Sequence, residues 1–141
     1  MASLVYDSLS YDMARSDINF LTHSFKLMLV GTGYTPNKGT HTNRSHVTSE
    51  VSGTNYTSGG LAVSFTLAND TTNHWSTVTF TNMQFSNLTV SGIRAGVIYK
   101  TTGTASTDLL VAYVDFLSSY SPSAQHFNVS FSSPLKFANA T

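Results

Sequence analysis

The sequence predicts an all-β protein: a β-sandwich of jelly-roll type with a short helix at its N-terminus. From about residue 24 onwards, apolar side chains recur at every second position in several short runs, which is the period of a half-buried strand. Clusters of Gly, Pro, Asn, Asp, Ser and Thr separate these runs, as is typical of sandwiches and jelly rolls. We expect a single domain over residues 1–141, with the helix at about 4–16 and the sandwich at about 24–138.

The N-terminal segment has a helical period. Val5, Leu9 and Met13 lie at positions i, i+4 and i+8, so a helix would place them on one face. Asp7 near the start and Arg15 near the end carry the charges that favour a helix dipole, and Ser3 is the candidate N-cap. The segment therefore predicts a helix whose apolar face packs against the sandwich.

Seven strands are predicted after this helix. Alternation predicts one buried face for the runs at 25–30, 61–67 and 77–81. The run at 109–112 is continuously apolar, which predicts a central strand covered on both faces. A short helix within residues 40–51, ended by Gly53, is a further prediction. The predicted strands cover residues 25–30, 61–67, 77–81, 93–100, 109–116, 127–131 and 135–137.

Composition argues against several classes of partner. Seven Lys and Arg residues balance seven Asp and Glu residues, so no positive field attracts nucleic acid or an anionic membrane. Charged residues make up 10% of the chain, against roughly 25% in ordinary globular domains. Cysteine is absent, which excludes disulfides and thiolate metal sites. We expect neither a nucleic acid nor a membrane as a partner.

The best metal-binding candidate is the group His41, His46 and Glu50. If residues 43–51 were helical, His46 and Glu50 would share one face, and an imidazole with a carboxylate can bind zinc. The paired histidines of zinc proteases are missing, so we predict instead that these side chains form hydrogen bonds that tie the turns of a loop together. We expect no metal and no other cofactor.

No catalytic motif is complete. Residues 38–40 are Lys-Gly-Thr, whereas a phosphate loop needs Gly-Lys-Ser or Gly-Lys-Thr. No Gly-x-Ser-x-Gly elbow is present, and no serine can be tied to a histidine and an acid. We therefore predict that the protein is not an enzyme.

Two other side chains differ from their surroundings. Asp115 interrupts a strongly apolar predicted strand, so we predict that it is buried in an ion pair with Arg94 or Lys100 of a neighbouring strand. Trp75, the only tryptophan, either packs at the sandwich edge, which is favoured, or forms a stacking platform for a sugar.

Tyrosine hydroxyls near turns and strand ends can lock a loop or contribute to a wet interface. These tyrosines are Tyr34, Tyr56, Tyr99, Tyr113 and Tyr120.

Several motifs between Phe25 and Phe116 follow one another in a distinctive order. Leu-Val precedes Gly-Tyr-Thr-Pro-Asn, and then come Thr-His, Glu-Val-Ser-Gly, Gly-Gly, Arg-Ala-Gly-Val-Ile-Tyr-Lys and Tyr-Val-Asp-Phe. In this order the chain resembles a tailed-bacteriophage virion protein of the head decoration, or cement, family. The resembling sequences tend to have Gly where this chain has Leu117, and Trp where it has Phe85.

The resemblance implies a small all-β structural protein on the outer surface of the phage head. Such a protein binds the major capsid protein and holds neighbouring capsomers together. We also expect a homo-oligomer, with a dimer favoured, because edge strands with few charges pair readily. A phage tail adaptor or fibre component and a carbohydrate-binding jelly-roll module remain alternatives. The candidate structural or interface residues are Tyr34, Arg44, Glu50, Tyr56, Trp75, Arg94, Tyr99 and Asp115.

Overall fold

The computed structural model describes residues 2–138. Within this range the chain forms eleven strands, one α-helix and one 3-10 turn, so the all-β prediction is confirmed. The helix α1 spans Ser8–Ala14, and the 3-10 turn spans Arg44–His46. The strands are β1 (Leu4–Val5), β2 (Phe25–Val30), β3 (Gly53–Thr54), β4 (Leu61–Ala62), β5 (Phe65–Asp70), β6 (Trp75–Phe80), β7 (Met83–Val90), β8 (Ile93–Lys100), β9 (Leu110–Tyr120), β10 (Gln125–Val129) and β11 (Leu135–Ala138).

The strands form three antiparallel sheets. A five-stranded sheet has the order β1-β9-β8-β2-β4, and two three-stranded sheets have the orders β10-β7-β3 and β11-β6-β5. One face of the large sheet packs against both small sheets, and Leu27, Ile98 and Val111 share a core there with Phe85 and Val78. This packing makes the fold a sandwich. The jelly-roll order of connections stays a prediction.

The large sheet is buried on both faces. Its second face forms another apolar cluster, in which Met28 and Val97 pack with Tyr6 from the N-terminal segment and Tyr34 from the connection after β2. The prediction that strand 25–30 has only one buried face is therefore wrong, because those segments cover the other face. The predicted burial of the run at 109–112 on both faces is confirmed, since Leu110 and Val111 belong to opposite clusters.

The N-terminal helix is shorter than predicted. Leu4–Val5 does not begin it but pairs with β9, and the helix starts at Ser8. Ser3 is not the N-cap, because its hydroxyl accepts a hydrogen bond from the Asp115 N–H at 2.8 Å. Pairing satisfies the backbone groups of this segment and of the edge of β9 together, whereas a longer helix would satisfy only its own. Leu9 is buried as the helical period predicted.

The sequence did not predict β7, although it is eight residues long. Its buried side chains are Phe85, Leu88 and Val90, so the alternation changes phase after Phe85. The cause is a bulge in which Ser86 and Asn87 together oppose one residue of β10. A pattern search that assumes a constant period of two misses such a strand.

Two other predictions for the central region are wrong. The predicted strand 61–67 is divided, because Leu61–Ala62 pairs with β2 whereas Phe65–Asp70 pairs with β6 in another sheet. The predicted helix within residues 40–51 is only the 3-10 turn Arg44–His46, and Gly53 begins β3 instead of ending a helix.

Candidate functional site

The long connection between β2 and β4 is held to the sheets by polar side chains, and Glu50 is the centre of the first group. Its carboxylate accepts hydrogen bonds from the Tyr56 hydroxyl at 2.8 Å and from the Gly59 N–H at 2.5 Å. The Tyr56 hydroxyl, which donates to Glu50, in turn accepts a hydrogen bond from the Leu29 N–H in β2 at 3.0 Å. Glu50 and Tyr56 therefore tie two parts of the connection to a central strand.

Tyr99 and Arg44 fix the connection at two further points. The buried Tyr99 hydroxyl donates to the Gly59 carbonyl at 2.5 Å, and the Arg44 guanidinium lies 5.3 Å from the centre of the Tyr99 ring. Arg44 Nε also donates to Asp108 Oδ2 at 2.7 Å, and the other oxygen of Asp108 accepts the Thr102 N–H at 2.6 Å. Because the Asp108 side chain is only 1% exposed, this is a buried ion pair with additional hydrogen bonds.

A chain of rings lies beside these groups. The hydroxyls of Tyr6 and Tyr34 are 2.8 Å apart, and the Tyr34 hydroxyl is 3.0 Å from Nδ1 of His41. The His41 ring stacks on the His46 ring with their centres 5.5 Å apart. Backbone N–H groups of Asn37 and Thr42 donate to Nδ1 of His41 and His46 at 3.2 Å each. The loop thus uses both imidazoles as hydrogen-bond acceptors for its own turns, as predicted.

The arrangement considered for a metal site does not form. No helix brings His46 and Glu50 onto one face, because Glu50 instead bridges to Val30 of β2. Within residues 2–138, no group of three or more His, Cys, Asp or Glu side chains is placed so that it could hold a metal ion. The Glu50 oxygens are used by the loop itself.

The predicted ion pair of Asp115 with Arg94 is confirmed. Arg94 Nε lies 3.0 Å from Asp115 Oδ1, across the neighbouring strands β8 and β9. The Asp115 side chain is 3% exposed, and its Oδ1 also accepts the Leu117 N–H at 2.9 Å. Lys100, the other candidate, donates to the Asp17 carbonyl at 2.6 Å instead.

Trp75 begins β6 and is partly buried. Lys136 from β11 places its ammonium 4.2 Å from the centre of the indole ring, which is a cation-π contact. One face of the ring is therefore occupied by a side chain of the neighbouring strand. Trp75 therefore stands at a strand start, as the favoured interpretation expects, and the choice between edge packing and a sugar platform stays a prediction.

Sequence reasoning missed the role of Asp108. The residue is separated from Arg44 by 64 positions, and no local spacing relates the two. The only sequence signal is its position directly before the apolar run at 109–112, where an acid needs partners if it is buried. Tyr6 lies within the predicted helix, and nothing in the sequence relates it to Tyr34, 28 positions away.

An apolar cleft of about 860 Å³ opens between β9 and the chain segment that contains β10. Val114, Phe116 and Phe127 are among its lining residues. Leu117 and Tyr120 lie at this cleft and are 78% and 44% exposed. The backbone of β9 explains why Leu117 is exposed. Residues 116–119 together oppose the single residue Arg94 of β8, so this part of β9 bulges out of the sheet, and Leu117 within it adopts φ +67°. That conformation is the one that favours glycine.

No family model, curated protein or solved structure matches the chain. In residues 2–138, no helix is long and apolar enough to cross a membrane.

Among the shifted pKa values of these groups, those of Asp108, Asp115 and His41 affect stability between acidic and neutral pH. Burial would raise the pKa of Asp108, but the Thr102 N–H and the Arg44 guanidinium hold it below its ordinary value. Burial would also raise the pKa of Asp115, and the Leu117 N–H together with Arg94 lowers it below the usual range. For His41, burial and the neighbouring imidazole both lower the pKa.

These shifts predict that the free energy of unfolding falls in two stages as the pH is lowered. The folded state binds the His41 proton less readily than the unfolded chain, so stability present above about pH 6.5 is lost as the pH falls through the folded pKa. Asp108 and Asp115 contribute stability that is present above about pH 4 and is lost as the pH falls through their folded pKa values. Thermal unfolding from about pH 8 to about pH 2 measures both stages. His41→Asn should remove the first stage alone, and a native profile that is flat down to about pH 4 would contradict the assignment of His41.

Proposed function

We propose that the protein is a phage head decoration protein, which binds the outer surface of the shell and stabilises contacts between capsomers. The observation that carries the proposal is the exposed apolar surface around Leu117 and Tyr120, beside the cleft at β9. These two exposed side chains adjoin an apolar cleft, and a second protein that docks there would cover both features. The resemblance in motif order between Phe25 and Phe116 supports the same class of partner, the major capsid protein.

The polar network supports a structural role for the domain. Glu50 and Asp108 each accept hydrogen bonds from backbone N–H groups of the chain, and Asp115 does so as well. A carboxylate committed to backbone donors and to a guanidinium stabilises loops, and it is poorly placed to transfer protons to a substrate. The network instead ties the long connection after β2 and the turn at Leu117 to the sheets, which suits a protein that reinforces a lattice.

The charge distribution favours contacts that depend weakly on salt. Near the cleft, the charges of Asp115 and Arg94 offset each other in an ion pair. Few ions must therefore lose their water when this surface is covered, and screening by salt changes the binding little. Binding to the assembled shell, and not to dissociated subunits, stabilises the shell by mass action.

The proposal is tested by adding the protein to expanded heads that lack it. We expect uptake in a fixed ratio to the capsid subunit, retention of binding at high salt, and greater resistance of the decorated heads to heat. Leu117→Asp should weaken binding at least about tenfold, because a carboxylate must then be buried against the shell. Leu21→Asp is the matched control, since Leu21 is 82% exposed and lies outside the cleft lining.

Three results would contradict the proposal. The first is no uptake by heads, and the second is location of the protein at the tail alone. The third is specific binding to glycans without affinity for heads, which would favour a carbohydrate-binding module. Equal effects of the Leu117 and Leu21 substitutions would show that the surface beside the cleft is not the contact.

A further inference from the structure

The edge of the sheet β11-β6-β5 is formed by the strand β5, Phe65–Asp70. Its pairing with β6 is regular over all six residues, and the four central residues are exposed. The edge strands β1, β3 and β4 have only two residues each, and β10 pairs with β7 across a bulge of β7. The opposite edge of the same sheet, β11, has four residues and carries Lys136. The strand β5 contains no Lys, Arg or Pro, which are the residues that commonly protect an edge from pairing.

One hydrogen bond shows which N–H and C=O groups of β5 point away from β6. The Thr81 N–H donates to the Ser64 carbonyl at 2.8 Å, so these opposite residues form a hydrogen-bonded pair. Such pairs alternate along an antiparallel ladder, so Thr66, Ala68 and Asp70 direct their backbone groups towards β6. Phe65, Leu67 and Asn69 direct theirs to the open edge.

This pattern is self-complementary about Leu67. When a second copy approaches antiparallel, the free groups of Leu67 face those of Leu67 in the second copy, and Phe65 faces Asn69 of the second copy. Asp70, the single charge of the strand, then lies opposite Ser64 and not opposite another carboxylate. Leu67 is 45% exposed in the single chain, and the pairing brings the two Leu67 side chains together.

We propose that the chain forms a two-fold symmetric dimer by antiparallel pairing of β5 with β5 of a second copy, centred on Leu67. The dimer joins the two β11-β6-β5 sheets into one continuous six-stranded sheet. It does not depend on the proposed binding to phage heads, because β5 lies outside the lining of the cleft at β9.

Sedimentation velocity of the native chain and of two variants tests the dimer. The native chain should sediment as a dimer at micromolar concentration. Leu67→Lys places two ammonium groups opposite each other and should weaken dimerisation at least about tenfold. Leu117→Lys makes the same change at an exposed site outside β5 and should leave the dimer intact. A native monomer at high micromolar concentration, or a Leu67→Lys chain that dimerises normally, would overturn the proposal.

A cross-link tests the register without depending on a destabilising charge. The chain has no cysteine, so Leu67→Cys introduces a single thiol. Opposite residues of a hydrogen-bonded pair have Cα atoms about 5.5 Å apart, which is within disulfide range, and mild oxidation should give a covalent dimer. Asn69→Cys is the control, because its counterpart in the second copy lies about 13 Å away along the strand. Cross-linking of Asn69→Cys but not of Leu67→Cys would overturn the proposed register.

Discussion

Asp108→Ala is expected to lower the free energy of unfolding by about 3–5 kcal/mol, the usual cost of removing one partner of a buried ion pair. The carboxylate is buried and accepts bonds from Arg44, from the Thr102 N–H and from the Thr102 hydroxyl. Its removal leaves the Arg44 guanidinium and a backbone N–H without this acceptor. The 3-10 turn then keeps only its backbone hydrogen bonds to the start of β9, from the Arg44 N–H to the Asp108 carbonyl and from the Leu110 N–H to the Thr42 carbonyl. Urea unfolding followed by tryptophan fluorescence and by circular dichroism measures the loss.

Asp7→Ala is the control for this substitution. Asp7 lies 3.6 Å from Lys38, but both side chains are about 60% exposed, so their pairing is screened by water. The change in the free energy of unfolding should then be below about 1 kcal/mol. Equal stability of the Asp108→Ala and Asp7→Ala variants would mean that the Arg44 pair does not hold the connection in place.

Gly60→Ala is expected to prevent folding or to cost more than about 4 kcal/mol, which is exceptional for a single substitution. Gly60 has φ +82°, and a Cβ at this position would lie 1.8 Å from the carbonyl oxygen of Leu27. That oxygen belongs to the central strand β2 and cannot move without disturbing the large sheet. The yield of soluble protein and the midpoint of thermal unfolding measure the effect.

Gly92→Ala separates the two causes of the instability expected for Gly60→Ala, which are the clash of the new Cβ with β2 and the positive φ. Gly92 also has a positive φ, +72°, but a Cβ there meets nothing within 4 Å. Only the penalty of the left-handed backbone remains, about 1–2 kcal/mol. Similar losses in the two variants would show that Gly60 does not approach β2 as closely as described.

Strands that carry a dense run of apolar residues were predictable from the sequence, whereas a strand with interrupted alternation was not. The run at 93–100 was assigned with its correct bounds, whereas β7 was missed because its bulge at Ser86 and Asn87 changes the buried phase. The helix was extended too far towards the N-terminus because Val5 fits a helical period. Val5 in fact pairs with Ala112 of β9, which is far away in the sequence.

The side-chain network was only partly predictable, because some of its partners are far apart in the sequence. Asp115 was assigned to Arg94 because an acid within an apolar strand requires a buried partner, and neighbouring strands could supply one. For Tyr34, Tyr56 and Tyr99, positions near turns predicted either loop locking or an interface, and the hydrogen bonds of their hydroxyls show the first. The pairing of Arg44 with Asp108 depends on how the connection after β2 crosses the sheet, and periodicity does not contain that information.

The most direct test of the proposed function is a cryo-electron microscopy map of the parent phage particle. We predict density for this three-sheet fold on the outer surface of the head, bridging neighbouring capsid subunits, with Leu117 and Tyr120 facing the shell. Density for the fold at the tail alone, or a bare head in particles that contain the protein, would contradict the account.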